Sequence, residues 1–387
     1  MQHALSYYRL TAAFRETVEQ ALGPVTDWVF MGDLRNRGLR GMMSSLRAVR
    51  GETLLVCIEN DNGRPLATPL ALAAFASRCR KIKIVWPDGR VEAVSRWRLF
   101  PMIWKLMAAQ VQSRRAFRRV QRLAARPVQP ASEFRTQRDA AGGLFVDANL
   151  SFGVTAGGSV GHIQGVLNGF VRQGHPMDYA SIKAPPPGAT DVGWKTLPTP
   201  GMLAFPAELN YYTHHAVADR SLRRSAEAKA YRFVYQRLSL HNLSGTVLAD
   251  RFGLPLVVEY NGSEAWAAEK WGTRLSLHDA AVATEHATMR RADLVVTISA
   301  PLRDEALALG VPADRIVTYP NCVDLALFAP SRFSEDAREA LRDRLGIAQN
   351  ARVGTFIGTF GAWHGIEFLA AGIRRLIDED RAYVDAN

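Results

Sequence analysis

Apolar and polar positions along most of this chain follow two alternating patterns. Short apolar runs, typical of buried strands, are followed by longer segments in which apolar residues recur every three or four positions, as on one face of a helix. This order repeats from Leu144 onward. Helices that alternate with buried strands usually cover both faces of a parallel sheet, so the pattern predicts an α/β protein.

The predicted strands of this larger region end in turns that contain glycine or polar residues. The strands are Leu144–Asp147, Tyr179–Ile182, Pro255–Tyr260, Leu294–Ile298 and Ile316–Tyr319. In such sheets, ligands bind beyond the carboxyl ends of the strands. The turns at Gly157, Asn261, Ser299, Asn321 and Gly358 are therefore expected to gather at one mouth.

Several helices are predicted between these strands. One runs from Ser221 to about Leu240, and a long one covers Leu277–Arg291. Ser263 and Glu264 can cap or begin a helix. A last strand, glycine turn and helix are predicted over Val353–Ile377, where unpaired helical N–H groups can bind an anion.

The first 126 residues predict a smaller α/β unit. Strands over Leu54–Ile58 and Ile82–Trp86 flank a helix around Leu70–Ser77, and Pro87–Gly89 forms a turn. Residues 127–143 contain prolines and a glycine pair and are expected to be a linker.

The charge of +11 is concentrated in one segment, because Arg96–Arg126 contains nine basic residues and no acidic one. A helix from Pro101 is expected to place apolar residues near one face and the arginines largely on the other, with Trp97, Phe100 and Trp104 at its entry. The apolar residues are Ile103, Leu106, Met107, Val111, Phe117, Val120 and Ala124. The helix is either a solvated cap or an anionic-membrane contact. Nucleic-acid binding ranks third, since no known nucleic-acid fold accompanies the charge.

Composition and cysteine usage favour a cytoplasmic globular protein of 387 residues. The three cysteines form no close pair, no apolar run reaches the roughly 18 residues of a membrane span, and the start lacks the order of a signal peptide. No metal site is expected, because His214 and His215 lack further ligands nearby and Asp378–Asp380 lies at a helix end. The loop Ala156–Gly161 superficially matches a dinucleotide fingerprint, but Asp178 precedes the second strand instead of ending it, which disfavours a dehydrogenase.

Four motifs, in this order and spacing, resemble glycosyltransferase family four, the retaining nucleotide-sugar transferases of the GT-B fold. They are Gly157–His162 opening a helix, Ala292–Ser299, Pro320–Asp324 with Phe328, and Gly358–Gly365. The resemblance begins at Leu144 and implies two Rossmann-like domains. Residues 144–345 would form the acceptor domain and residues 346–387 the incomplete start of the donor domain, preceded by the extra domain of residues 1–126 and the linker.

The resemblance also implies roles for individual residues. Gly157, Gly158 and Gly161, with His162 nearby, would approach donor phosphates and acceptor, whereas Gly358, Thr359 and Gly361 would present N–H groups to the diphosphate. The remaining donor or acceptor residues would be Asn261, Gly262, Glu264, Asn321, Asp324, His364 and Gly365. Each residue also fits a structural role, with the glycines in turns and His162 and Asn321 as caps.

Departures from the family leave the catalytic residues open, with His162 and Asn261 as candidates. Many members have Arg near Thr359 and Lys near His364, so backbone donors would carry more of the leaving-group stabilisation here. Members often place a histidine where this chain has Asn261, which can hydrogen-bond a sugar hydroxyl but cannot act as a base. The family's two donor-binding glutamates, eight positions apart, would follow Asn387, so this form is expected to hold a donor poorly and to be inactive.

The expected function is therefore that of an EC 2.4-type hexosyltransferase for polysaccharide synthesis. It would move a hexose from a UDP-sugar or GDP-sugar to a lipid-linked or polysaccharide acceptor with retention, without a cofactor. Its expected location is the cytoplasm, in peripheral contact with the inner face of a membrane through Arg96–Arg126. The alternative is a non-catalytic module whose basic helix docks a membrane or nucleic acid.

Overall fold

A computed structural model describes residues 1–35, 38–127, 142–152, 157–272, 274–321, 329–356 and 364–381. The chain divides into two compact units. The larger contains residues 1–155 and 166–320, and the smaller contains residues 156–165 and 321–387.

A first sheet is built by the N-terminal residues and is parallel except at one edge. Its strands are β1 (Gln2–Ser6), β2 (Asp27–Phe30), β3 (Arg50–Cys57), β4 (Arg78–Val85) and β5 (Val91–Val94). They lie in the order β2-β1-β3-β4-β5, and only β5 is antiparallel to its neighbour. The connecting helices are α1 (Ala12–Leu22), α2 (Met31–Arg35), α3 (Gly38–Ala48) and α4 (Ala67–Ala74).

The second sheet is parallel throughout and forms the centre of the larger unit. Its strands are β6 (Gly143–Asp147), β7 (Met177–Ser181), β8 (Val192–Thr196), β9 (Phe233–Arg237), β10 (Leu256–Tyr260), β11 (Leu294–Thr297) and β12 (Ile316–Thr318). Their order is β12-β11-β10-β9-β6-β7-β8, the doubly wound order of Rossmann-like domains, and it reverses between β6 and β9. Leu144, Val146, Val234, Leu256 and Val258 form its core.

Six helices accompany the second sheet, and a long one precedes it. They are α5 (Leu99–Ala124), α6 (Gly158–Arg172), α7 (Leu209–Ala228), α8 (Ser244–Phe252), α9 (Glu264–Trp271), α10 (His278–Arg291) and α11 (Ala300–Ala308). Local signals set several of their ends. Gly253 closes α8 in the left-handed conformation, and the Ser263 hydroxyl caps α9 by accepting from Trp266 N at 3.0 Å.

The five strands predicted for this sheet are present within two residues at each end, but β8 and β9 were not predicted. The expected helix from Ser221 to about Leu240 is wrong at its second half, because α7 ends at Ala228 and Phe233–Arg237 is a strand. Local composition there suits a helix. Pairing with β6 on one side and β10 on the other satisfies both edges of the β9 backbone, and this tertiary pairing overrides the local preference.

The long helix α5 joins the two sheets, since its second half packs on α7 and α10. The Phe117 ring meets the Tyr212 ring edge-on with centroids 5.0 Å apart, and Arg119 pairs with the buried Asp219 at 3.1 Å. The expected distribution of apolar residues is wrong in part. Phe117, Val120 and Ala124 pack inward, whereas Ile103, Met107 and Val111 are exposed.

Among the described residues after 329, the smaller unit contains the α-helices α12 (Glu335–Leu345) and α13 (Ile366–Glu379). Gly365, in the left-handed conformation, caps α13 at its start. The helix α13 was predicted. Residues 353–356 were expected to begin a strand but are not in one, because no strand among the described residues lies beside them to supply ladder hydrogen bonds. The helix α13 exposes Phe368, Leu369, Ile373 and Leu376.

No helix within the described ranges combines the length and apolar character needed to cross a bilayer.

We expect Gly142→Ala to destabilise the larger unit by roughly 1–3 kcal/mol. Gly142 has φ +85°, and an added Cβ would lie 1.9 Å from the carbonyl oxygen of Pro176, which accepts from Gly143 N. The matched control is Gly169→Ala on α6, where an added Cβ meets nothing within 4 Å and helix propensity improves. Urea denaturation measures both. Equal midpoints for the two variants would contradict the expected strain.

Candidate active site

The chain reversal between β6 and β9 opens a crevice at the carboxyl ends of these strands, where Rossmann-like sheets bind their ligands. The two strands end in Asp147 and Arg237. Asp147 is buried and accepts hydrogen bonds from the Tyr179 hydroxyl at 2.8 Å and from Asn149 Nδ2 at 2.9 Å. Burial lowers the pKa of the nearby Lys183 ammonium, and Asp147 opposes that shift.

Next along the sheet, Glu259 organises the end of β10. It is buried and accepts from Arg237 Nη1 at 3.0 Å, from the Tyr235 hydroxyl at 2.9 Å, and from the Asn261 amide. A buried carboxylate needs such partners, because removing a charge from water without them is costly. The pairing fixes the Asn261 side chain. Its Oδ1 is buried without a hydrogen-bond partner among the described residues, which leaves an acceptor for a ligand hydroxyl.

Glu264 begins α9 beside this cluster. Burial raises the pKa of its carboxyl to about 7; Arg237 opposes the shift, whereas Glu285 and Asp147 add to it. Glu285 in turn holds the preceding loop, since it accepts from the Ser263 hydroxyl at 2.7 Å and from Ala265 N at 2.8 Å. A carboxyl with a pKa near neutrality can both give and take a proton at physiological pH.

A pocket of about 740 Å³ opens from these residues and runs between α9, α10 and α11. Trp266 and Trp271 form part of its wall, with ring centroids 4.8 Å apart and planes at 82°, and each ring is about half exposed. Glu305, which also lines the pocket, accepts from the Tyr260 hydroxyl at 2.7 Å. The pocket combines flat apolar faces with several hydroxyl-binding groups, a combination that suits a sugar or another polyhydroxyl compound.

Residues 157–322 match the protein family described as "Glycosyl transferase 4-like domain". This stretch of the chain is similar to glycosyl transferase 4-like domains. A curated protein of Escherichia coli (strain K12), named as the putative colanic acid biosynthesis glycosyl transferase WcaI, is 29% identical over 99 residues, which are 26% of this chain and 24% of that protein. The chain thus matches about a quarter of that relative's length. The match confirms the predicted resemblance to family-four glycosyltransferases, and the sheet confirms the predicted Rossmann-like fold.

Two solved structures are also similar, but their sequence identities and TM-scores are too low to support any statement about fold or function. A glycosyltransferase from Rickettsia africae ESF-5 is 15% identical with a TM-score of 0.43, covering 62% of this chain and 59% of that one. A UDP-N-acetylglucosamine 2-epimerase from Rickettsia bellii is 12% identical with a TM-score of 0.35, covering 62% of this chain and 60% of that one.

Within the stretch that matches the family, three residues predicted from sequence line the pocket. They are Asn261, Gly262 and Glu264. Gly262 has φ +122°, which lets the chain turn sharply from β10 toward α9. These three residues therefore meet at the place the sequence predicts, at the end of β10.

Other predicted site residues lie elsewhere or outside the described ranges. Asn321, His364 and Gly365 belong to the smaller unit, as do the glycines and the histidine at the start of α6 (Gly157, Gly158, Gly161 and His162). An added Cβ at Gly158 or Gly161 would meet nothing within 4 Å among the described atoms, so a ligand can approach this backbone closely. Asp324, Gly358, Thr359 and Gly361 lie outside the described residues.

Several residues of the crevice were not predicted from sequence. Asp147 and Arg237 are the last residues of strands. The position of Asp147 at the end of a predicted strand could have marked it as a site residue, whereas Arg237 ends β9, which was not predicted. Glu285 lies inside a helix, where nothing in the local pattern distinguishes it from a solvated charge. Trp266 and Trp271, five positions apart on α9, are separable from ordinary core residues only by their exposure.

The histidine pair and Asp178 serve the interior. His214 and His215 are buried in α7, and burial lowers their pKa values to about 4 and about 3. Asp178 lies near the amino end of β7 and binds the Tyr231 hydroxyl at 2.6 Å and Lys229 Nζ at 3.0 Å. No group of three or more potential metal ligands occurs within the described parts of the chain.

We expect Glu264 to make the free energy of unfolding fall as the pH rises from about 4.5 to about 7. In this range the unfolded chain ionises Glu264, while the folded protein holds its proton. Glu264→Gln removes that contribution, so the difference in stability between variant and wild type should grow in the variant's favour over this range and level off above it.

Chemical denaturation at pH 4.5, 6 and 7.5 measures the effect. Glu227→Gln, an exposed carboxylate on α7, is the matched control, and the shared histidine contributions cancel in the comparison. A constant difference between wild type and Glu264→Gln across the range would contradict the raised pKa.

Proposed function

We propose that this protein is a hexosyltransferase that moves a sugar from a nucleoside diphosphate donor, a UDP-sugar or GDP-sugar, to a lipid-linked or polysaccharide acceptor with retention of configuration. The observation that carries the proposal is the aromatic pocket at the end of β10, next to a carboxyl with a pKa of about 7, within a glycosyl transferase 4-like domain. The name of the Escherichia coli relative, a protein of colanic acid biosynthesis, supports a polysaccharide acceptor.

In this reaction the acceptor hydroxyl oxygen bonds to the anomeric carbon of the donor sugar. The bond from that carbon to the diphosphate oxygen breaks, and the hydroxyl proton leaves the acceptor. Retention requires attack on the face from which the diphosphate departs, so the leaving phosphate is close enough to help take the proton.

The pocket is assigned to the acceptor sugar. The faces of Trp266 and Trp271 offer apolar surface to the C–H face of a pyranose ring, while Asn261 Oδ1 accepts a hydrogen bond from a hydroxyl. Glu264 holds the reacting or a neighbouring hydroxyl, as donor when protonated and as acceptor when ionised. The resemblance implies that Gly157, Gly158 and Gly161 approach the donor phosphates and the acceptor, and their N–H groups can bind the negative charge of the phosphates.

The first test is binding of the donor. For the complete gene product, we expect a UDP-sugar or a GDP-sugar, but not both equally, to raise the Tm by several degrees at a concentration about 100 times its Kd, because a ligand that binds only the folded state stabilises it by about 2.7 kcal/mol under these conditions. Residues 1–387 alone are expected to hold a donor poorly. Differential scanning fluorimetry with uridine, guanosine and adenosine diphosphates and their sugars measures this. If none of them shifts the Tm and no sugar nucleotide is consumed, the alternative of a non-catalytic binding module replaces the proposal.

The second test separates proton handling from acceptor binding. Glu264→Gln should lower kcat roughly 100-fold and remove the pH dependence of kcat near pH 7. Trp271→Ala should raise the acceptor KM about tenfold and leave kcat nearly unchanged, because it removes binding surface and no reacting group. Product formation from radiolabelled donor by the complete gene product measures both.

The matched controls for this second test are Glu227→Gln and Trp194→Ala, which lie on α7 and on the edge strand β8 and should behave as wild type. A Glu264→Gln variant with normal kcat at every pH would remove Glu264 from the reaction.

A further inference from the structure

The exposed face of α5 is apolar along its first half and basic along its second. Successive residues of an α-helix are rotated by about 100°, so positions 100, 104, 107 and 111 share one face with positions 114, 115, 118 and 122. The first four are Phe100, Trp104, Met107 and Val111, all exposed, and the last four are arginines, also exposed. Trp97, just before the helix, is 81% exposed and stacks beside Phe100.

This face is available because the opposite side of the helix is already occupied. Ala116, Val120 and Ala124 pack with Tyr212 of α7, and Gln121 Nε2 donates to the carbonyl oxygen of Ala280 on α10 at 3.5 Å. Nearer its start, Met102 packs against the core of the first sheet. The helix is thus fixed to the larger unit along its length, and its aromatic residues project from a rigid support.

A basic pocket lies at the amino-terminal edge of the first sheet. Arg40, Ser44 and Arg47 project from one face of α3, while Arg50 and Arg78 begin β3 and β4, and all of them line a depression of about 610 Å³. Arg50 and Arg78 are direct partners across the two strands. Their like charges repel each other unless an anion lies between them. Within the described residues, no carboxylate pairs with any of the four arginines.

The pocket and the start of α5 lie at the same edge. Val94 of β5 pairs with Ile82 of β4, and the strands are antiparallel, so the chain leaving β5 runs toward Arg78, at the amino end of β4. Ser95 and Ser77 line one shallow cleft there. Leu99, where α5 begins, follows four residues after Ser95.

We propose that this edge is a membrane-docking surface for anionic phospholipid. Phe100, Trp104 and Met107 enter the boundary between head groups and acyl chains, while the arginine pocket and the basic half of α5 bind lipid phosphates. Charge complementarity favours an anionic lipid bilayer as the occupant, since the surface combines exposed aromatic residues with arginines. The residues that line the arginine pocket include no carboxylate that could bind a basic partner. The surface contains none of the residues assigned to glycosyl transfer.

The test is co-sedimentation of the full chain with vesicles of phosphatidylcholine containing 30% phosphatidylglycerol in 0.1 M salt. The wild type should bind these vesicles and bind pure phosphatidylcholine much less. The double variant Arg47→Ala with Arg78→Ala should weaken binding by about tenfold or more, because each arginine near an anionic surface contributes about 1 kcal/mol. The double variant Trp97→Ala with Trp104→Ala should weaken binding by about tenfold or more as well. The matched controls, Trp194→Ala on β8 and Arg251→Ala on α8, alter exposed residues outside α5 and the arginine pocket and should bind as wild type.

Two further readouts distinguish other occupants. Brominated lipid should quench tryptophan fluorescence in the wild type, and this quenching should largely disappear in the Trp97, Trp104 double variant. A purely electrostatic contact would not bring tryptophan into the lipid and would give no such quenching in the wild type. Inorganic phosphate that raises the Tm without any vesicle binding would show a site for free phosphate and overturn the proposal. A wild-type dimer in sedimentation velocity that the double tryptophan variant dissociates, or duplex DNA binding in place of vesicle binding, would also overturn it.

Discussion

The crevice depends on β6 pairing with β7 on one side and β9 on the other. Gly143 N donates to the carbonyl oxygen of Pro176, and the carbonyl oxygen of Gly142 accepts from Arg232 N, so the register of all three strands is fixed at their amino ends. A shift of one residue would turn every side chain of β6 to the opposite face. Asp147 would then leave the position from which it influences Glu264.

The crevice contains opposite charges, and most of their partners come from other strands of the sheet. Arg237 satisfies Glu259, and Tyr179 and Asn149 satisfy Asp147, so these carboxylates stay buried without a prohibitive desolvation cost. Glu264 differs because Arg237 is already engaged with Glu259. Burial of Glu264 raises the pKa of its carboxyl more than Arg237 lowers it, and the nearby Glu285 and Asp147 add to the rise.

Sequence patterns were sufficient where local chemistry decides the structure. Leu256–Tyr260 and Leu294–Thr297 are mostly apolar runs, Ser263 is a capping residue, and Asn261 follows a strand, so these features and three pocket residues could be predicted. The strand β9 could not, because its conformation comes from neighbours some 90 residues before it and 20 after it. The pKa of Glu264 and the exposed half of α5 also depend on partners distant in sequence, for which periodicity carries no information.

The helix α5 has a geometric consequence for the whole larger unit. It is 26 residues long, about 39 Å, and it contacts the first sheet near its start and α7 and α10 near its end. With its first half in a bilayer surface, it acts as a spacer that sets the height and tilt of the aromatic pocket above the lipid. An acceptor carried by a lipid would then be searched for in two dimensions, and only sugars at a matching distance from the membrane would reach the pocket.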